Sequence, residues 1–468
     1  MPHLPADCLN EIFKYLEDDK ITLHSCLLVN HIWCEVSVRF FWRNVRNIRT
    51  LIACLPNSSK EILFKNGIII STPTSNPPMF NYATFCKDLS INNVYCKIKQ
   101  FLEDEQPILI LDQSLKHILA QEIFKLYFSQ VGSLKKLTFL QYSDINFDFY
   151  PGAKDCLKNL SELSCNSNIS SEIFYQLSQI CQNILSLTLF YTEIVSKGLK
   201  DLISAQKNLK YLTINYNAGG RSLDDLIPLF TNPNNLSKLC FYGIRCTFVP
   251  FITKFTNLQE LELSFGHCYF ENFQHAKFPQ LQVLKIQKYI YDDDLLIKFL
   301  ENNGKNLKEL DLKTHYDFNY NSLNLAIAKF CPNLRKLFIG IKNNELETLK
   351  IVFNSCQYLE SIKILCGGKF LNETEALDMF VNYSNKNTYE IILYHNYNIK
   401  SKLLPEELES FFVSWTNRVP YRLLSLIIVN NNDKSLDANE DNLKIIEKYK
   451  KLGVVKKFEV KDFDYDFD

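Results

Sequence analysis

The chain has 468 residues, of which 46% are hydrophobic. A single hydrophobic core rarely grows to this length, so we expect several domains or a repeat array. The 52 basic residues balance the 52 acidic residues, which disfavours broad electrostatic capture of nucleic acid or an anionic membrane. No apolar stretch is long enough to span a bilayer, and no basic-then-apolar leader opens the chain. We therefore expect a protein of the cytoplasm and/or nucleus, with neither nucleic acid nor membrane as a partner.

Residues 1–45 predict a small helical module. Four apolar residues recur at the spacing of one helix face, and Pro5 suits the first turn of that helix; the four are Leu9, Ile12, Phe13 and Leu16. A second apolar helix and a third aromatic-rich stretch follow. Forty-five residues form a marginal domain alone, so the module needs a partner surface or contact with the rest of the chain.

This segment resembles an F-box. The resemblance lies in Leu4-Pro5-x-x-x-Leu9-x-x-Ile12-Phe13-x-x-Leu16, followed by Ser25-Cys26-Leu27-Leu28-Val29-Asn30-x-x-Trp33. Many members of the family have cysteine or serine where this chain has Asn30. The family binds a Skp-type adaptor, which ties it to a cullin–RING ubiquitin ligase. The resemblance implies that the adaptor contact, or the small core beneath it, is formed by Leu4, Pro5, Leu9, Ile12, Phe13, Leu27, Leu28 and Trp33.

Residues 46–130 predict a linker and divergent first repeats, interrupted by a loop that contains Pro73, Pro77 and Pro78. Cys86-x-x-Leu89-x-Ile91 indicates a degenerate repeat, and Ile108 to Leu111 indicates a further strand. An amphipathic helix is predicted over 115–130.

From residue 131 onward one phrase recurs, in which an apolar residue is followed by two more apolar residues three and five positions later. Successive phrases are separated by 22 to 27 residues, the period of leucine-rich repeats. Ten clear units begin at Leu134, Leu160, Ile184, Leu209, Leu236, Leu258, Leu281, Leu307, Leu334 and Leu359. Two weaker units include Ile391 and Leu423, so the repeats extend over 131–455 with a degenerate end. Residues 456–468 predict an acidic and aromatic tail.

Each phrase predicts a strand whose last two apolar residues face the interior, and each remainder predicts an amphipathic helix. Examples of the helices are Ile173 to Cys181, Asp292 to Glu301 and Leu323 to Cys331. A single unit cannot bury its own apolar face, so neighbours must stack. The predicted fold is an α/β solenoid, a leucine-rich-repeat horseshoe with a parallel β-sheet on its concave face.

The 15 cysteines contain no C-x-x-C pair, so we interpret most of them as small buried hydrophobic residues with reduced thiols. Cys181, Cys331 and Cys356 each lie three residues before the first apolar position of a repeat. This position resembles the cysteine-containing class of leucine-rich repeats, in which the thiol packs at the end of the helix.

The sequence contains no enzyme signature. It has no G-x-G fingerprint and no G-x-S-x-G nucleophile motif. His267, Cys268 and His275 fit no standard zinc spacing, so we predict no metal and no cofactor.

The predicted working surface is the concave face. It would present the aromatic residues Phe190, Tyr211, Tyr242 and Phe338, which are of the kind that anchors protein contacts. In three successive repeats it would also place Glu262, Lys285 and Asp311 side by side as a charge ladder, although such a ladder is also compatible with a merely solvated face.

Together these features predict a non-catalytic substrate adaptor of an SCF-type ubiquitin ligase, with an unknown target protein on the concave face. The alternative is a ligase-independent repeat scaffold whose N-terminal helices serve as a cap.

Overall fold

The computed structural model describes residues 4–68, 78–105, 113–140, 145–192, 195–216, 229–230, 235–244, 249–265, 273–287, 293–313, 320–395, 403–419, 422–430, 436 and 439–462. The predicted loop residues Pro73 and Pro77 and the predicted strand at Ile108 to Leu111 lie outside this description. The chain divides into two units, Met1–Asn235 and Leu236–Asp468.

The first unit begins with five helices. They are α1 (Ala6–Lys14), α2 (Lys20–Cys26), α3 (His31–Phe41), α4 (Ile48–Cys54) and α5 (Asn57–Lys65). Five parallel strands then pair in chain order: β1 (Asp88–Ser90), β2 (Lys136–Phe139), β3 (Glu162–Asn166), β4 (Ser186–Tyr191) and β5 (Tyr211–Tyr216). The helices among them are α6 (Ile91–Glu105), α7 (Gln113–Gln130), α8 (Ala153–Leu157), α9 (Ser171–Ile180) and α10 (Lys197–Ala205).

In the second unit, parallel strands again pair with their neighbours in the sequence. The strands are β6 (Lys238–Ile244), β7 (Glu260–Phe265), β8 (Val283–Gln287), β9 (Glu309–Lys313), β10 (Lys336–Ile339), β11 (Ser361–Cys366), β12 (Glu390–His395), β13 (Leu424–Asn430) and β14 (Val455–Asp462). The intervening helices are α11 (Val249–Ile252), α12 (Asp293–Asn303), α13 (Tyr320–Phe330), α14 (Leu346–Ser355), α15 (Glu373–Tyr383), α16 (Pro405–Thr416) and α17 (Glu440–Lys451).

The strand register aligns the repeated phrases. Leu187 pairs with Leu212 in the first unit, and Leu261, Leu284 and Leu310 form a row in the second. In all ten clear units the last two apolar residues are at most 3% exposed. This burial confirms that the last two apolar residues of each unit face the interior. Equivalent leucines there stack against one another in successive repeats. Both units have the leucine-rich-repeat architecture.

The repeat cysteines lie where the sequence predicts. Cys181 ends α9 and Cys356 ends α14, and both are buried. The Cys181 thiol donates to the Leu157 carbonyl at 3.4 Å, and the Cys356 thiol donates to the Cys331 carbonyl at the same distance. Each thiol thus ties the end of one repeat helix to the repeat before it. Burial raises the pKa of Cys181 and of Cys356 to about 12.

The C-terminal segment differs from the sequence prediction. The predicted tail begins at residue 456, yet β14 continues through Asp462 and pairs in parallel with β13. Val455 begins the strand and is buried, as is Val454 before it, whereas most of the residues that follow are exposed and charged. The strand does carry the apolar spacing, as Val455-x-x-Phe458-x-Val460, but it contains no leucine and lies outside the period of 22 to 27 residues, since the previous unit begins at Leu423.

Candidate protein-binding surfaces

Helices α1, α2 and α3 form a cluster with its own core. We call this cluster the helical module. Its buried residues are Leu9, Phe13, Leu23, Cys26 and Val36. The Trp33 ring packs edge-on against Phe13, with ring centroids 5.4 Å apart. This core fixes the three helices relative to one another, because each helix contributes at least one apolar side chain to it.

Short polar side chains begin the second and third helices of this module. Asp19 caps α2 by accepting hydrogen bonds from the Thr22 amide at 2.9 Å and the Thr22 hydroxyl at 2.6 Å, and these bonds lower the pKa of Asp19. Asn30 caps α3 by accepting from the Trp33 amide at 3.0 Å. Because asparagine and serine are both favoured N-caps, Asn30 serves here in the capping role that serine also suits.

The predicted adaptor residues divide into a core set and a surface set. Leu9 and Phe13 are fully buried and Trp33 is partly buried, so they support the surface and do not form it. Pro5 is exposed, and Leu27 is half-buried. The apolar surface is formed by Leu4, Ile12 and Leu28, which are 48%, 45% and 77% exposed. Sequence reasoning missed the further exposed apolar residues of the module, which are Tyr15, Ile21, Val29 and Ile32.

The helical module is joined to the first strand of its own unit. The Arg43 guanidinium lies between the carboxylates of Glu17 and Asp88, 3.4 Å from the latter. Asn44 forms a parallel bridge with Asp88, and Trp42 packs against Tyr82 with ring centroids 4.5 Å apart. These contacts place the module beside the edge of β1.

Three predicted aromatic residues of the repeats lie at outward strand positions. Phe190 is half-buried on β4, and Tyr211 is exposed at the start of β5. In the second unit Tyr242 is half-buried on β6, and burial together with the Glu262 carboxylate raises its pKa. Tyr211 therefore offers the most accessible ring of the three.

The register of the second unit places the three predicted charged residues in one row, since Glu262 pairs with Lys285 and Lys285 with Asp311. The Lys285 ammonium, however, forms its ion pair diagonally with Glu309 at 3.1 Å. Burial alone would lower the pKa of Lys285, but the Glu309 hydrogen bond together with the charges of Glu309, Glu262 and Asp311 outweighs it, and the pKa is raised. Glu262 accepts instead from the Gln287 amide at 3.1 Å. The sequence therefore predicts the row of these three residues correctly. Their side chains, however, do not pair with one another as a simple alternating ladder.

Phe338 does not lie on an accessible surface. Its side chain is only 6% exposed, because Tyr394 packs on it with ring centroids 5.4 Å apart and the Lys363 ammonium lies 4.9 Å from its ring. The sequence prediction that Phe338 contacts a target is therefore corrected: in this structure it is a packing residue. Its outward position was read correctly, but the bulky outward residues of the next two strands cover it.

Among the residues that the structure describes, no group of three or more histidine, cysteine, aspartate or glutamate side chains could hold a metal ion. His275 is exposed, whereas His267 and Cys268 lie outside the described residues. None of the described helices has the length and apolar character needed to cross a membrane.

No protein-family model matches the chain, and no curated protein matches it. Among solved structures it is similar to the leucine-rich repeat-containing protein LegL7 from Legionella pneumophila, with 14% identity and a TM-score of 0.38 over 66% of this chain and 97% of that one. It is also similar to the internalin InlF from Listeria monocytogenes, with 15% identity and a TM-score of 0.32 over 58% of this chain and 90% of that one. The assignment of leucine-rich-repeat architecture rests on this chain's own strand register and buried leucines.

Proposed function

We propose that this protein is the substrate-recognition adaptor of an SCF-type cullin–RING ubiquitin ligase. In this proposal the helical module binds a Skp-type adaptor, and the outward face of the repeats binds a target protein. The observation that carries the proposal is the separation within the module: Leu9 and Phe13 form a core, while Leu4, Ile12 and Leu28 remain exposed.

Exposed leucine and isoleucine side chains on so small a cluster favour a binding role. Burying one such side chain contributes about 1.5–3 kcal/mol, so a partner that covers three of them gains substantial affinity. Contiguous exposed apolar surface marks interaction sites in soluble proteins. The F-box resemblance names the Skp-type adaptor as the partner for this surface.

The proposed mechanism is proximity and involves no bond chemistry on this chain. The helical module holds the ligase and the repeats hold the target, which raises the effective concentration of the reacting partners. The side chains proposed for target contact are the outward residues Phe190, Tyr211, Tyr242, Glu262, Lys285 and Asp311.

A second candidate is a ligase-independent scaffold in which the helical module only caps the repeats. The favouring observation is the bridge between Asn44 and Asp88, together with the packing of Trp42 on Tyr82. A cap would protect the edge of β1 from pairing with another chain. This role uses the buried side of the module and leaves the exposed leucines without a purpose.

The deciding experiment is a binding assay between the full chain and a purified Skp-type adaptor. The test variants are Leu4→Ala/Pro5→Ala and Leu28→Glu, which alter only exposed side chains. The matched control is Leu452→Glu, because Leu452 is 64% exposed but follows α17. We expect the wild type and the control to bind, and both test variants to lose at least tenfold in affinity.

Thermal unfolding of each variant accompanies the assay, because the interpretation requires an intact fold. If the wild type binds no Skp-type adaptor, or if folded Leu28→Glu protein binds as well as the wild type, the ligase proposal fails. The scaffold alternative then stands.

A further inference from the structure

The C-terminal repeats contain a cavity that the proposed function does not use. It has a volume of about 420 Å³ and lies at the starting ends of β12, β13 and β14. Among the residues that the structure describes, its lining includes Arg422, Lys456 and Lys457, with Glu390 as the single acidic residue. This volume suits a few side chains of a ligand and not a folded surface.

A β-bulge brings two consecutive lysines to the same cavity. In a regular strand Lys456 and Lys457 would point to opposite faces. Here Leu424 pairs with Val455 and Ser425 with Lys457, so Lys456 is an extra residue on β14. Bulges re-aim side chains and are common beside functional sites. Both lysines line the cavity although they are consecutive in the sequence.

The acidic residue of the cavity is already engaged by neutral groups. The two Glu390 carboxylate oxygens accept from the hydroxyls of Ser361 at 2.6 Å and Ser425 at 3.4 Å. Arg422 donates to the Asn387 side-chain oxygen at 3.3 Å, and Lys457 pairs with Glu459 at 2.7 Å. Within the described parts of the chain, neither Arg422 nor Lys456 has an ion-pair partner. Two cationic groups therefore face the cavity with their charge uncompensated by direct contact.

One wall of the cavity is apolar. Leu423, which is 44% exposed, and Tyr389, which is half-buried, both line the cavity. A free inorganic anion would leave this wall uncovered, whereas a peptide can place a carboxylate on the cations and an apolar side chain on the wall. Charge complementarity also selects acidic segments against basic ones during encounter.

We propose that this cavity binds an acidic peptide segment of a partner protein, with a carboxylate on Arg422 and Lys456 and a neighbouring aromatic side chain on Leu423 and Tyr389. The inference rests on the part of the proposed function that assigns target binding to the repeats. It adds the chemical class of the target segment and a place for it that the outward strand positions do not include.

The test measures fluorescence anisotropy of labelled five-residue peptides with the full chain and without any adaptor. The probes are EEFEE, its neutral analogue QQFQQ and its analogue without the ring, EEAEE. We expect EEFEE to bind most tightly and to weaken as salt rises from about 0.05 to 0.5 M, because salt screens exposed charges.

The variant Arg422→Glu/Lys456→Glu reverses two exposed charges and should weaken EEFEE binding at least tenfold. Lys456→Arg should retain the binding. Lys298→Glu is the matched control, because Lys298 is an exposed lysine on α12. This variant should bind EEFEE with the same affinity as the wild type.

Equal binding of QQFQQ, equal binding of EEAEE, or undiminished binding by the double variant would each overturn the peptide assignment. So would absence of EEFEE binding to the wild type. The double variant should still bind a Skp-type adaptor, because its changes lie far along the sequence from the helical module. Failure of adaptor docking would leave the peptide result unaffected, so the two proposals can fail separately.

Discussion

The Arg43 side chain lies 3.4 Å from the Asp88 carboxylate, and the Arg43 carbonyl accepts hydrogen bonds from the Lys87 and Asp88 amides at 2.9 and 3.1 Å. One residue thus joins the helical module to β1 through both its side chain and its backbone. Burial raises the pKa of Asp88, and the Arg43 charge opposes that shift. The module is therefore held on the first strand by a partly buried ionic contact as well as by apolar packing.

Replacing Arg43 tests this connection. We expect Arg43→Ala to lower the free energy of unfolding by about 1–2 kcal/mol, because Glu17 and Asp88 lose a charge-assisted partner. Hydrogen exchange should also accelerate in residues 6–41, which the contact anchors. Chemical denaturation and amide exchange measured by mass spectrometry report the two effects.

The control for this change is Lys99→Ala. Lys99 forms an exposed ion pair with Glu103 at 3.7 Å on a single helix, and removal of such a pair costs at most about 0.5 kcal/mol. Equal losses in the two variants would show that the Arg43 contact contributes no more than an ordinary surface pair.

The buried thiols predict a loss of stability at alkaline pH. Burial raises the pKa of Cys165, Cys181 and Cys356 to about 12, whereas an unfolded thiol titrates near 8.5. The folded state thus keeps a proton that the unfolded state releases. Their stabilising contribution is complete below about pH 8.5 and is lost as the pH rises towards 12. Over the first pH unit above 8.5, the loss is about 1 kcal/mol per thiol.

Urea denaturation at pH 7.5, 8.5 and 9.5 measures this decline. Other groups titrate in the same range, so the informative quantity is the difference between the wild type and Cys181→Ala. We expect the alanine variant to be less stable at neutral pH but to lose less stability between pH 8.5 and 9.5. Parallel declines in the two proteins would contradict the assignment of Cys181 as a buried neutral thiol.

Thiol reactivity should separate the cysteines by their exposure. Cys8 and Cys96 are exposed, whereas Cys181 and Cys356 are buried behind the repeat helices. Because the thiolate is the reactive form, a buried thiol with a raised pKa reacts slowly. Brief alkylation of the native chain at pH 8, followed by peptide mass spectrometry, should label Cys8 and Cys96 first. Early labelling of Cys181 would contradict the packing described for the end of α9.

The repeats could be predicted from the sequence because each inward position must be apolar in every unit. The spacing alone predicts that Leu187 pairs with Leu212. The binding surfaces are less predictable, since outward positions carry no such constraint. Phe338 has the same outward position as Glu262 in its phrase, yet Tyr394, two strands away, decides that it is covered.

The C-terminal cavity could not be predicted for a related reason. Its two lysines line the same space at the register shift between β13 and β14. The shared apolar spacing aligns Leu426 with Phe458 and Ile428 with Val460, but the shift lies before these pairs, between Leu424 and Ser425, where neither the spacing nor the composition of the sequence signals it. In the helical module, by contrast, periodicity identifies the helix face, but only the folded structure separates the buried Phe13 from the exposed Ile12.

The contact between α9 and α10 depends on the absence of a side chain at Gly198. A Cβ at this position would lie 1.9 Å from the Ser171 carbonyl oxygen and 3.0 Å from the Tyr175 amide nitrogen. Both neighbours are backbone atoms of α9, so neither can turn away. The Ser171 hydroxyl also accepts from the Gly198 amide at 2.8 Å, which holds the two helices at this separation.

We therefore expect Gly198→Ala to destabilise the first unit by about 2–4 kcal/mol, because the helices must separate and lose packing along their length. In an unconstrained helix the same change would stabilise by up to about 1 kcal/mol, so the sign of the effect is diagnostic. Gly132→Ala is the control, since no atom lies within 4 Å of a Cβ built there. Thermal unfolding of both variants decides the matter: a Gly198→Ala protein as stable as the wild type would mean that α9 and α10 pack less closely than described.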